Sequence, residues 1–132
     1  MELEQKFVEY VLCTQLEDIP SKAVDLMKDI ILNALAGVLA GANTPGCPEA
    51  VAQSRAWGGK EEATVLIYGD RLPACHAVFA NSFMARAAAT SESLVSGLHT
   101  GASSVPTGLA AAELIGGCSG GFRTAGKNES KD

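Results

Sequence analysis

One run constrains this chain more than any other: Ala23, Leu26, Met27, Ile30, Ile31, Ala34, Leu35 and Val38 recur at steps of one, three and four. Only an α-helix gathers that spacing into one stripe, because 3.6 residues per turn brings positions i, i+3, i+4 and i+7 to one side. Asp18 and Pro20 mark its start, since proline is tolerated in the first helical turn. The spacing predicts a helix over 20–41, broken by Asn43-Thr44-Pro45-Gly46. Its second half turns small on a further side, with Ala36, Gly37, Ala40 and Gly41, where a partner backbone can approach closely.

The remaining pattern is also mainly helical. Residues 2–13 read as a short amphipathic helix with Leu3, Phe7, Val8, Val11 and Leu12 near one face. Pro48 opens another helix, running to Trp57 and stopped by Gly58-Gly59. Ala63-Thr64-Val65-Leu66-Ile67-Tyr68 is a β-branched run closed by Gly69-Asp70, and one such strand belongs to an edge or hairpin. Pro73 starts a helix to Ala89, residues 90–104 form a polar loop, and a last helix covers Val105 to Ile115. The expected class is mostly α, with one short strand or hairpin near 63–72. With 21 alanines and 14 glycines in 132 residues, the core is poor in bulk and depends on matched surfaces. The small faces at Gly37/Gly41 and Ala77/Ala80 are expected to meet other helices and to be sticky if left uncovered.

Charge and composition exclude several functions. A net charge of −5, with 10 basic residues spread along the chain, is not a nucleic-acid footprint and supplies no polybasic membrane patch. The longest nearly apolar stretch, Ile30 to Ala42, is too short to span a bilayer. Met1-Glu2-Leu3-Glu4-Gln5-Lys6 lacks the order of a signal peptide, and Glu2, Glu4 and Glu9 disfavour a mitochondrial transit peptide. Cys13, Cys47, Cys75 and Cys118 form no CxxC pair, and two histidines give a zinc site little support. Reduced, mostly buried cysteines in a cytoplasmic protein fit best, a mitochondrial matrix less well.

Three motifs are weak. Gly121-Phe-Arg-Thr-Ala-Gly-Lys127 resembles a phosphate-binding loop, but Asn128 replaces the hydroxyl residue and too little chain follows for the required helix. Asn128-Glu129-Ser130 is a sequon without a secretory context. Cys75 and His76 are adjacent on a helix and point apart, so a structural role outweighs a catalytic pair. His99 is different. It lies in Gly97-Leu98-His99-Thr100-Gly101-Ala102-Ser103-Ser104, just before a helix N-terminus that favours a carboxylate, and an imidazole can exchange protons near neutral pH. The competing account is a loop histidine packed on a helix end.

Four stretches in order carry a family resemblance. They are Asp29–Gly41 (DIILNALAGVLAG), Gly58–Leu72 (GGKEEATVLIYGDRL), Ala80–Ala87 (ANSFMARA) and His99–Gly120 (HTGASSVPTGLAAAELIGGCSG). Together they resemble the start of the MmgE/PrpD family, which includes 2-methylcitrate dehydratase, cis-aconitate decarboxylase and an iminodisuccinate epimerase. The resemblance implies metal-free, cofactor-free proton chemistry on small di- or tricarboxylic acids, an all-helical main domain and usually a homodimer. Residues 1–120 then form an incomplete helical domain and 121–132 a divergent, disordered tail that reads as a truncation, an alternative end or a shifted frame.

Carried over by position, His99 matches the family's active-site histidine, with Thr100 where proline is usual. Where many members have an acidic run, this chain has Ala89-Thr90-Ser91-Glu92-Ser93, and Asn33 stands where aspartate is frequent. The resemblance therefore gives His99 as the catalytic residue and Ser93, Ser103 and Ser104 as hydrogen-bond partners of the substrate. Arg86 can pair with a substrate carboxylate, since guanidinium offers a planar fork, although a surface ion pair accounts for it equally. The expected function is the N-terminal part of a lyase or isomerase, inactive alone. The alternative is a non-catalytic helical module that self-associates or pairs with a full-length relative.

Overall fold

In the computed structural model, Pro20 does close the approach to the long helix, which begins at the next residue. The structure describes residues 2–89 and 99–116. The elements in chain order are α1 (Leu3–Cys13), a 3-10 turn (Leu16–Asp18), α2 (Ser21–Gly41), α3 (Cys47–Trp57), β1 (Ala63–Thr64), β2 (Arg71–Leu72), α4 (Ala74–Ala87) and α5 (Gly101–Leu114). The mostly-α expectation with one hairpin holds.

α4 is the centre of the packing, resting on α2, α3 and α5. Its small face is what permits this. Ala77 and Ala80 are fully buried, and Gly37 and Gly41 of α2 are buried as well. A Cβ at Gly41 would overlap the Met84 carbonyl oxygen and lie 2.9 Å from the carbonyl carbon. The small faces thus bring the α2 and α4 backbones together, rather than lying uncovered. Around this contact Val38, Cys47, Val51, Val65 and Met84 fill the core. Burial pushes the Cys47 thiol up, with nearby Glu49 adding to the effect.

Two boundaries differ from the sequence expectation. The strand covers only Ala63–Thr64, paired antiparallel as Ala63↔Leu72 and Thr64↔Arg71. Val65 N–H donates to the Asp70 carbonyl at 2.7 Å and Gly69 N–H to the Val65 carbonyl at 2.9 Å, so the chain has already turned. Ile67 sits in this turn at φ 70°, an unusual conformation for a β-branched residue. The Tyr68 hydroxyl donates to the Ala42 carbonyl at 2.8 Å and ties the turn to the end of α2. The other correction concerns residues 101–104, which are helical and not loop. Serine and glycine read as loop formers, but here the Ser103 and Thr107 hydroxyls fold back onto the Thr100 and Ser103 carbonyls, at 3.1 and 2.8 Å. Pro106 lies inside α5, where it has no N–H to offer the Ala102 carbonyl.

The amphipathic stripes are less buried than their pattern implies. No residue of α1 is buried, and the α2 stripe is fully covered only at Ala34 and Val38, with Leu26 and Met27 exposed. The cysteine expectation also fails in part: Cys47 is buried, while Cys13 and Cys75 are exposed. Periodicity records which side of a helix is apolar, but not whether a partner covers it.

Candidate functional site

The candidate residues depend on how α4 and α5 are held. Glu113, in the last turn of α5, accepts hydrogen bonds from Thr64 N–H at 3.1 Å and from the Thr64 hydroxyl at 2.7 Å. Arg71 adds an ion pair to the same carboxylate at 3.0 Å. Because Arg71 lies on β2, immediately before α4, this cluster fixes the C-terminal end of α5 near the N-terminal end of α4. The two helices, each of 14 residues, pack against each other. Arg86 lies in the last turn of α4, and α5 begins two residues after His99.

Asn81 secures the other side of the hairpin. Its amide oxygen accepts from Leu66 N–H at 2.8 Å and its amide nitrogen donates to the Thr64 carbonyl at 2.9 Å. The Glu62 carboxylate accepts from Ala74 N–H at 3.1 Å, where an acid complements the positive start of α4. A third tie joins Arg55 of α3 to Asp70 through two bonds of 2.9 and 2.6 Å. Those bonds hold the Asp70 carboxyl below the usual carboxylate range, and the guanidinium also lies 5.5 Å from the Tyr68 ring centre. These are positioning contacts. Sequence reading did not single out Asn81, Glu113 or Thr64, although an asparagine on the small, apolar side of a helix signals a buried polar bridge.

At the start of α5, His99 and Thr100 are exposed, and so are Ser103 and Ser104 in the first turn. The Thr100 carbonyl accepts from Ser103 N–H at 3.1 Å and from Ser104 N–H at 2.8 Å. The Ser103 hydroxyl proton is directed to the same carbonyl, which leaves its oxygen able to accept. A helix start carries partial positive charge and suits a carboxylate. Arg86, also exposed, lies in the last turn of α4, where a cation complements the negative helix end. Ala89 ends the segment at φ 53°, a conformation that aspartate tolerates better than alanine.

The structure thus places Arg86 in the last turn of α4, His99 just before α5, and Ser103 and Ser104 in the first turn of α5, all of them exposed. Ser93 and Glu92 lie outside the described residues, as do Cys118 and the phosphate-loop-like segment 121–127. Asn33 is half-buried within α2, about 12 Å along the axis from Gly41. Cys75 is exposed while the His76 ring packs 5.0 Å from that of Trp57, so the two diverge as helix geometry requires. Among the described residues no three His, Cys, Asp or Glu side chains gather as a metal site. Nor is any described helix long and apolar enough to cross a membrane. An apolar groove of about 370 Å³ lies elsewhere, between α2 and the β1–β2 turn, and none of the four candidates lines it.

Compared with curated proteins and with solved structures, the chain has no significant match. The family model for the MmgE/PrpD N-terminal domain matches residues 5–125, spanning every described helix but the first two residues of α1. That family is associated with enzymes of the dehydratase and lyase type. A match over so much of the chain, together with a helical architecture and a short hairpin among the described residues, identifies the chain as a member of the MmgE/PrpD family through its N-terminal domain.

Proposed function

We propose that this domain supplies part of the active site of a lyase or isomerase that moves protons on small di- or tricarboxylic acids. What supports this reading is the packing of α4 on α5, with Arg86 in the last turn of α4, Ser103 and Ser104 in the first turn of α5, and His99 just before it, all exposed. In this role the His99 imidazole accepts the proton from a carbon next to a carboxylate, then returns it to the leaving group or to the opposite face. Arg86 meets a carboxylate with two parallel N–H groups, and the start of α5 adds its positive end. Ser104 and Ser93 donate to the substrate's carboxylate or hydroxyl oxygens, and the Ser103 oxygen accepts from a substrate hydroxyl.

A positioned acid or base contributes about 10²–10⁴-fold to a rate. The site has one such group on this chain, so the chain alone is expected to turn over neither cis-aconitate nor 2-methylcitrate appreciably. Binding is the sharper test. Titrating either acid into the isotopically labelled chain should shift the amide signals of Gly101 to Ser104 and the ring signals of His99, and Arg86→Ala should weaken the effect. Shifts confined to other regions, or none at millimolar acid, would refute the assignment of the site. A rate matching that of a complete family enzyme would refute the claim that the site is partial.

A further inference from the structure

We draw no further inference here: the strongest candidate, the exposed aromatic patch of Trp57, Phe79 and Phe83 where α3 meets α4, carries none because nothing in the structure shows what covers it.

Discussion

Replacing Asn81 by leucine tests the claim that one buried amide holds the hairpin on α4. Asn81 is 3% exposed, and its two hydrogen bonds go to backbone groups on either side of the fully buried Val65. Leucine has nearly the same volume, so the change creates little cavity, but it strands the Leu66 N–H and the Thr64 carbonyl. An unsatisfied buried group costs about 1–3 kcal/mol. Because Thr64 and Leu66 are half-buried, the lower part of that range applies, and the pair should lose about 2–3 kcal/mol. That is a large share of the 5–15 kcal/mol typical of a whole domain. Urea unfolding followed by circular dichroism should show the midpoint fall with an unchanged slope, and hydrogen exchange should accelerate at Leu66 N–H. Asn81→Asp keeps the acceptor for Leu66 but turns a negative charge toward the Thr64 carbonyl. It should be destabilised at neutral pH and recover partly in acid, when a protonated carboxyl can donate. If Asn81→Leu costs less than about 0.5 kcal/mol, with Leu66 exchange unaltered, the reasoning fails.

Three further outcomes follow from the same geometry. Gly41→Ala should destabilise by about 1–3 kcal/mol in urea although alanine is the better helix former, because the new methyl meets the Met84 backbone and not a movable side chain. Asp70, whose carboxyl is depressed by its hydrogen bonds to Arg55, contributes stability that is complete above the unfolded carboxylate value of about 3.9 and is lost as pH falls through the lower folded value. Asp70→Asn should therefore flatten the acid limb of the stability profile, by no more than about 1 kcal/mol since the pair is solvent-accessible. Ile67→Asn should raise the urea midpoint, by about 1 kcal/mol at most, because asparagine tolerates the left-handed region that isoleucine resists.

Helix positions were legible where periodicity and breakers agreed. The 3-4 spacing from Ala23 to Val38 with Pro20 before it located α2 to within a residue, and Gly58-Gly59 stopped α3 where expected. Errors arose where long-range contacts overrode local preference. Val65 to Tyr68 is a β-branched, aromatic run, yet Asn81 takes its Leu66 N–H and Tyr68 is held by the Ala42 carbonyl, so no ladder can extend there. Ser103 and Ser104 read as loop because serine competes with the helix backbone. Their N–H groups instead both go to the Thr100 carbonyl, which starts α5 four residues early.

The candidate site was legible by type and illegible by support. His99 stood out because a histidine among glycines and hydroxyls before a helix start is chemically unusual, and Arg86 because guanidinium suits carboxylates. Nothing local to either residue states how α4 and α5 pack. That depends on Glu113, whose carboxylate binds Thr64 and Arg71 from 49 and 42 positions away. Without this link the far end of α5 has no polar anchor on the hairpin, and the direction of α5 against α4 rests on small side chains alone. Alanine-rich faces fit one another closely but specify register poorly, since successive alanines present nearly the same surface. A charged anchor at one end resolves that ambiguity by tying the last turn of α5 to the hairpin.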